Sequence, residues 1–182
     1  MGLVSSSWRT LSQALCIRDT MKKIFGFITS LLLSTTSIAQ EQVDFKVDVP
    51  QSWKLVTYSE SEKLWVYESN NRNHRLTVSI LYYSEEANHA QQGQFLEEYL
   101  VTRKEQSSKI APGLTFSEVE LKEYETAWVS KFNEASINGR LTTNKAISSR
   151  IGIANFYFES FSSHATHEEV SSKILSTTGF AS

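Results

Sequence analysis

The sequence predicts an α+β fold built around a mainly antiparallel sheet of about six strands, with two main helices. Extended segments with a period of two residues occur on both sides of a helical segment, and a second helical segment closes the chain. This order of strands, helix, strands and helix is typical of α+β proteins. Residues 40–182 contain no low-complexity tract or Pro/Gly-rich linker, so we expect them to form a single domain.

Four short segments in the first half alternate apolar and polar side chains or are rich in β-branched and aromatic residues, which predicts strands. They are Phe45–Val49, Trp53–Thr57, Leu64–Glu68 and Leu76–Tyr83. The polar run Ser69–His74 separates the last two segments and predicts a turn. These two segments therefore form a predicted hairpin.

A helix is predicted from Gln91 to Ser108, and Pro112-Gly113 prevents it from continuing. Its apolar residues recur at a spacing that places them on one face, which we expect to pack on the sheet. These residues are Phe95, Leu96, Tyr99 and Leu100.

Three longer extended segments follow this helix: Leu114–Tyr124, Ala127–Ala135 and Leu141–Phe161. Asn138-Gly139 predicts a tight hairpin turn between the last two, because both residue types tolerate a positive φ. Leu141–Phe161 is long for one strand, so we expect it to be bent or split near Gly152.

The last helix is predicted to begin with a capping box at Thr166-His167-Glu168-Glu169 and to end near Gly179. Its apolar stripe completes the predicted core. The predicted core residues are Val47, Trp53, Leu64, Val66, Val78, Ile80, Phe95, Tyr99, Val129, Ile174 and Leu175.

Residues 21–39 have the architecture of a secretory signal: a basic start, a short apolar run, and small residues before a cleavage point. We predict cleavage between Ala39 and Gln40. The apolar run is too short to span a bilayer, which takes about 20 residues, so no stable membrane anchor is expected after cleavage. Residues 1–20 are interpreted as an extended leader or as upstream sequence, with translation from Met21 favoured.

The composition of residues 40–182 argues against nucleic-acid binding. Removal of residues 1–39 takes away four basic residues and one acidic residue, which changes the formal charge from −2 to −5. Binding to nucleic acid normally needs a basic face. The one basic cluster, Arg103-Lys104 with Lys109, lies among glutamates and is interpreted as a solvated helix face. Cys16 is the only cysteine, so the mature chain is expected to be free of thiols, disulfides and lipid.

Several motifs together resemble the PsbP-like family. They are "FKVDVPQSW" (45–53), the paired strands "KLWVYES" and "RLTVSILYY", and the closing helix "EEVSSKILSTTGF". That family includes a photosystem II oxygen-evolving subunit, a Ran-binding nuclear import factor and bacterial DcrB-type periplasmic proteins. The resemblance implies an αβα sandwich and a binding or assembly role without catalysis. It carries over no functional residue.

His164 and His167 form the most metal-like pair, because histidines three residues apart can share a helix face. No third ligand, HExxH motif or cysteine accompanies them, so a solvent-exposed helix start is the favoured interpretation. We likewise recognise no nucleophile elbow, no phosphate-binding loop and no pair of facing carboxylates in the sequence. We therefore predict neither a cofactor nor an enzyme.

The predicted partner-binding surface is either the sheet edge or the Glu-rich face of the helix Gln91–Ser108. The candidate residues are Glu97, Glu98 and Glu105 on the helix, and the aromatic pair Trp65 and Tyr67 in the sheet. The predicted function is that of an exported, periplasmic or secreted, non-catalytic binding or accessory protein with an unidentified protein partner. The alternatives are a small secreted hydrolase, a metal-binding protein that uses His164 and His167, and an immunity-type protein.

Overall fold

The computed structural model describes residues 45–180, which contain ten strands and two helices. The predicted signal segment and the residues before it lie outside this range. The elements in chain order are β1 (Phe45–Lys46), β2 (Lys54–Ser59), β3 (Leu64–Glu68), β4 (His74–Tyr82), α1 (His89–Ile110), β5 (Thr115–Phe116), β6 (Glu120–Glu123), β7 (Trp128–Ala135), β8 (Leu141–Ser148), β9 (Gly152–Ser160), α2 (His164–Ser176) and β10 (Gly179–Phe180).

The main sheet has eight strands, all paired antiparallel, in the order β2-β3-β4-β9-β8-β7-β5, with β6 also paired to β7. The predicted α+β class with a mainly antiparallel sheet and two main helices is confirmed. Two more strands than the predicted six are present because the segment 114–124 forms both β5 and β6, while 141–161 divides into β8 and β9. The short strands β1 and β10 pair with each other in a separate two-stranded sheet.

Glycine is required at two turns of this sheet. Gly139 has a φ of +81° in the β7–β8 turn, and its N–H donates to the Ser136 carbonyl at 3.0 Å. Asn138 keeps a negative φ, so only one residue of the predicted pair adopts the left-handed conformation. At Gly152, a Cβ would lie 2.3 Å from the Leu81 carbonyl oxygen, because β4 approaches the start of β9 closely. A residue with a side chain therefore does not fit at this position, which directly follows the predicted break.

Helix α1 begins earlier than predicted because Asn88 and Gln91 form a capping box. The Asn88 Oδ1 accepts from the Gln91 N–H at 3.0 Å, and the Gln91 Oε1 accepts from the Asn88 N–H at 2.9 Å. On the face toward the sheet, Leu96 and Leu100 are buried. The predicted apolar face is thus the packed one.

The predicted capping box of the last helix is wrong. Ser163 is the N-cap of α2, and its hydroxyl oxygen accepts from the Thr166 N–H at 3.3 Å. Thr166 therefore lies in the first turn, where its own N–H is the group that needs a partner. The helix ends at Ser176, and Gly179 begins β10 rather than ending the helix.

The two helices lie on opposite faces of the main sheet. Ile174 of α2 packs in the same cluster as Ile147 of β8. Leu96 of α1 packs in the same cluster as Ala146, the residue directly before Ile147. Successive residues of a strand point to opposite faces. The layers are therefore α1, sheet and α2. Neither helix within residues 45–180 is long and apolar enough to cross a membrane.

Most of the predicted core is confirmed. Val78, Ile80, Ile174 and Leu175 are buried in the cluster beneath α2. Other predicted core residues are partly buried against one of the two clusters: Val47, Trp53, Val129, Phe95 and Tyr99.

The predicted core face of β3 is wrong. Trp65 and Tyr67 pair with the buried Val78 and Leu76 and pack against the core, whereas Leu64 and Val66 point to the other face. Both faces of β3 carry large side chains, so alternation alone does not distinguish the inner face from the outer one.

Candidate functional site

Strand β2 forms one edge of the main sheet. Among the described strands it pairs with β3 alone, and five of its six residues are exposed. Leu55, Val56 and Tyr58 retain 50%, 48% and 54% of their surface. An edge strand presents a row of backbone N–H and C=O groups to solvent, and proteins usually protect such edges with charge or cover. After the exposed Lys54 at its start, β2 places large apolar side chains beside that backbone.

The register between β2 and β3 collects apolar side chains on one face. Leu55 pairs with Tyr67 and Tyr58 pairs with Trp65, and the Tyr58 and Trp65 ring centroids are 5.7 Å apart. An irregularity of register between Leu55 and Thr57 makes both pairs face the α2 side. We call Leu55, Tyr58, Trp65 and Tyr67 the edge patch. Trp65 and Tyr67 are half-buried, so β2 supplies its most exposed part.

An open pocket of about 440 Å³ lies next to the start of β2. It is bounded by the loop 50–53, the β3–β4 turn and α2, and Trp53 and His74 contribute its rings. These rings stack with centroids 6.2 Å apart and planes inclined by 21°, and the buried Phe158 supports both. Burial lowers the pKa of His74, so its ring is neutral at pH 7. We call this cavity the Trp53 pocket.

His167 also contacts the Phe158 ring, with centroids 5.3 Å apart, and is fully hydrogen-bonded. Its Nδ1 is 2.6 Å from the Ser160 hydroxyl and its Nε2 is 2.9 Å from the Thr143 hydroxyl. Thr143 donates its proton to the Asn133 Oδ1 at 2.7 Å, so its oxygen must accept from the His167 Nε2–H. Nδ1 then accepts from Ser160.

This arrangement holds His167 as a neutral ring. Burial lowers its pKa to about 4, and the nearby His164 and His74 act in the same direction. The prediction of a solvent-exposed helix start is therefore wrong for His167, which is 6% exposed, although His164 is exposed. Ser160 is also buried. The pair resembles a nucleophile with its base, but a substrate would have to reach a residue that is only 1% exposed.

A polar layer lies between α1 and the sheet. Arg103 of α1 is 3.9 Å from the Glu134 carboxylate and stacks over the Tyr157 ring at 4.6 Å. The Ser107 and Tyr157 hydroxyls each donate to Glu134 at 3.3 Å. Burial raises the pKa of the Tyr157 hydroxyl, which keeps it a neutral donor at pH 7.

The interpretation of Arg103 as part of a solvated basic face is wrong. Arg103 is buried against Glu134, while Lys104 is partly buried and places its ammonium 5.3 Å from the centre of the Phe132 ring. Only Lys109 of that predicted cluster is exposed. The cluster therefore does not form a basic surface.

The architecture matches solved structures although the sequence matches no known family model and no curated protein sequence. The solution structure of cyanobacterial PsbP (CyanoP) from Synechocystis sp. PCC 6803 superimposes with a TM-score of 0.50 and 11% sequence identity. The match covers 82% of this chain and 99% of CyanoP. The fold is PsbP-like. LpqN, involved in cell envelope biogenesis of Mycobacterium tuberculosis, superimposes with a TM-score of 0.48 and 12% identity over 77% of this chain and 84% of LpqN.

Within this PsbP-like fold, the two predicted partner-binding groups lie apart. Glu97, Glu98 and Glu105 are exposed on the outer face of α1, and Glu98 accepts a hydrogen bond from the Gln94 amide at 2.9 Å. Helix α1 packs over β7 and β8, whereas the edge patch lies on the opposite face at β2 and β3. The acidic and aromatic groups therefore do not form one surface.

The metal-binding alternative gains no support from the geometry of the PsbP-like fold. Both ring nitrogens of His167 are used in hydrogen bonds, so neither offers a lone pair to a metal. Within residues 45–180, no three His, Cys, Asp or Glu side chains are grouped to hold an ion.

Sequence reasoning missed the importance of the Ser160–His167–Thr143 chain and of the exposed β2 side chains. No local motif signals the histidine chain, because its members come from β9, α2 and β8. The exposure of β2 depends on which strand lies at the edge of the sheet, and sheet order cannot be read from alternation within one strand.

Proposed function

We propose that this chain is an exported, non-catalytic binding protein that accepts an extended segment of another extracytoplasmic protein along β2. The observation that carries the proposal is the edge patch beside β2, a strand that pairs only with β3 among the strands of residues 45–180. An added strand would form main-chain hydrogen bonds with β2, and its alternate side chains would contact Leu55 and Tyr58. The aromatic side chains of the patch would supply anchoring contacts.

The sheet edge is favoured over the acidic face of α1. Exposed charges such as Glu97 and Glu105 mainly increase the rate of encounter with a basic partner, while exposed ion pairs add little affinity. The edge patch combines apolar area with backbone groups that specify an extended partner. We therefore assign the binding role to β2 and β3.

Export is supported by the signal architecture of residues 21–39. N-terminal sequencing of protein purified from the periplasm or culture medium is expected to begin at Gln40. An exported form that retains Trp8 would contradict both the start at Met21 and the cleavage point.

The binding surface can be tested with extended peptides selected from a displayed random library against the purified protein. A selected peptide is expected to show intermolecular backbone contacts to β2 in NMR spectra and to protect β2 amides from hydrogen exchange. The double variant Leu55→Lys/Tyr58→Lys should weaken binding by at least about tenfold, because it removes exposed apolar contacts without opening the core.

Ile137→Lys is a matched control, since Ile137 is 88% exposed in the β7–β8 turn, away from β2. Equal affinity of the control and the double variant would reject the edge. The triple variant Glu97→Lys/Glu98→Lys/Glu105→Lys should retain the peptide. Loss of binding in that variant alone would instead assign the site to α1. Turnover of an ester, peptide or glycan that a single histidine substitution abolishes would reject the non-catalytic role.

A further inference from the structure

We infer that the Trp53 pocket receives one bulky, uncharged apolar side chain of the segment bound along β2, and so sets which segments are accepted. The inference rests on the proposed function and extends it from a binding mode to a sequence preference. It follows from the position of the pocket, the chemistry of its lining and its charge.

The pocket lies where a segment paired with β2 would leave the strand. Trp53 directly precedes Lys54, the first residue of β2, and Lys54 pairs with Glu68, the last residue of β3. The next residue, Ser69, lines the pocket together with Trp53. A chain that continues past Lys54 therefore arrives at the pocket without a long connection. In peptide recognition by strand addition, such pockets provide specificity while the backbone provides affinity.

The lining suits an apolar side chain. Pro50, Trp53, Val170 and Ile174 provide apolar surface, and Ser52 and Asn70 place polar groups at the exposed margin. The rings beneath Trp53 hold its indole in one orientation, so little conformational freedom is lost on binding. A volume of about 440 Å³ lies near the small end of ligand pockets, which span about 300 to 1,000 Å³. A pocket of this size accommodates one large side chain together with its flanking backbone.

The charge of the lining favours an uncharged group. Glu169 and Lys173 are one helical turn apart on α2 and both line the pocket, so they contribute no net charge. The neutral His74 adds none. A charged side chain of either sign would be attracted to one of these residues and repelled by the other, and it would lose hydration on entering the pocket. A neutral aromatic or large aliphatic side chain avoids this desolvation cost and gains contact with the indole.

The pocket can be tested separately from the strand edge. The probe is N-acetyl-L-phenylalanine amide, with N-acetyl-L-alanine amide as the small-side-chain comparison, and the readout is the indole N–H resonance of Trp53 in ¹H–¹⁵N spectra, assigned with Trp53→Phe. The phenylalanine probe is expected to shift this resonance in a saturable way, with an affinity at least about tenfold above that of the alanine probe. Equal shifts by the two probes would overturn the inference.

Ser52→Trp should block the pocket and abolish the shift, because Ser52 is exposed and lines its mouth. Gln51→Trp is the matched control, since Gln51 is exposed beside it but does not line the pocket. Identical behaviour of the two variants would also overturn the inference.

The selected peptides connect the two proposals. Replacing the large apolar residue of a peptide with alanine should weaken binding about tenfold to the wild type and leave binding to Ser52→Trp unchanged. If peptides bind at β2 without such a preference, the inference fails and the proposed function stands. If the phenylalanine probe binds but Leu55→Lys/Tyr58→Lys retains every peptide, the edge proposal fails, and the pocket is then not part of a β2 site.

Discussion

Both faces of the main sheet contain fully buried side chains, but the two faces differ in chemistry. Beneath α2, Leu76, Val78 and Phe158 are completely buried and apolar. Beneath α1, Glu134 and Asn144 are 2% and 1% exposed, yet both are polar. Burial of apolar area stabilises the folded chain, whereas burial of polar groups is favourable only when partners replace water. The α2 face buries the larger apolar cluster and is therefore expected to contribute more to stability.

The buried ion pair of the α1 face is expected to contribute more to the position of the helix than to stability. A buried ion pair such as Arg103–Glu134 offsets its own desolvation only partly, but it is strongly unfavourable to break. We expect it to fix the rotation and register of the C-terminal half of α1, while Leu96 and Leu100 provide the apolar contacts of the N-terminal half. The contrast between the faces can be tested with matched substitutions.

The largest effect is expected for Phe158→Ala on the α2 face. Phe158 is fully buried and its ring centroid lies 5.3 Å from that of His167 and 6.2 Å from that of Trp53. The substitution should lower the free energy of unfolding by about 3–5 kcal/mol, because it removes apolar contacts and leaves a cavity. Urea unfolding measures this change. Phe161 is half exposed just after β9, so Phe161→Ala should change the free energy of unfolding by less than about 0.5 kcal/mol. Equal decreases in the free energy of unfolding for the two variants would contradict the assignment of the core.

On the α1 face, Arg103→Met should lower the free energy of unfolding by about 3 kcal/mol, because it leaves the Glu134 carboxylate buried without a cation. The double variant Arg103→Met/Glu134→Leu should recover most of the loss, since no uncompensated charge remains. Chemical denaturation of both variants measures the coupling. Additive losses in the double variant would show that the two side chains do not act as a pair.

The histidine chain on the α2 face predicts a dependence of stability on pH. The pKa of His167 is about 6.5 in the unfolded chain, and burial lowers this pKa to about 4 in the folded chain, so between these pH values the unfolded chain binds the extra proton. The contribution of His167 to the free energy of unfolding is fully present above pH 6.5, and it decreases as the pH falls toward 4. At pH 5 the loss relative to pH 7.5 should be about 2 kcal/mol.

Thermal unfolding of wild type and His167→Gln over this pH range isolates the contribution of His167. The depressed pKa of His74 adds to the slope, while the pKa of Glu159, raised by burial, opposes it at lower pH. Both groups remain in the variant, so the difference between the two curves reports His167. Parallel curves would contradict the buried neutral state.

The smallest effect is expected at two buried serines of the α1 face. The Ser130 hydroxyl has no hydrogen-bond partner among the described residues, whereas that of Ser148 donates to the Gln92 carbonyl at 2.8 Å and lies 2.6 Å from the Tyr83 hydroxyl. Ser130→Ala should leave the stability unchanged or raise it by up to about 1 kcal/mol, while Ser148→Ala should lower it by about 1–2 kcal/mol. Differential scanning calorimetry measures both changes. If Ser130→Ala lowered the stability as much as Ser148→Ala, the Ser130 hydroxyl would have to form a hydrogen bond in the folded chain.

The sequence predicted the class of fold because period-two patterns and turn residues are local properties. The hairpin around Asn138-Gly139 and the break at Gly152 follow from backbone conformations that only a few residue types adopt. The polar layer could not be predicted in the same way. Arg103 looks like any exposed helix residue until Glu134, 31 residues later in the chain, is placed beneath it.

The candidate site shows the same limit. Trp65 and Tyr67 were predicted as partner-binding residues from their shared face, but the more exposed half of the patch, Leu55 and Tyr58, comes from the strand order. The partners of His167 come from two strands that are separated from it in sequence. Side-chain contacts between distant segments are set by packing, and a single sequence contains no direct signal of them.

The separate pairing of β1 with β10 determines how the domain responds to mechanical force. Phe45 lies opposite Phe180 and Lys46 opposite Gly179, so the outward ends of the two strands emerge side by side. A force that pulls these ends apart acts perpendicular to the strands and breaks the backbone hydrogen bonds between β1 and β10 one after another. This two-stranded sheet would therefore separate at low force, and the strands of the main sheet would bear load only after it had separated.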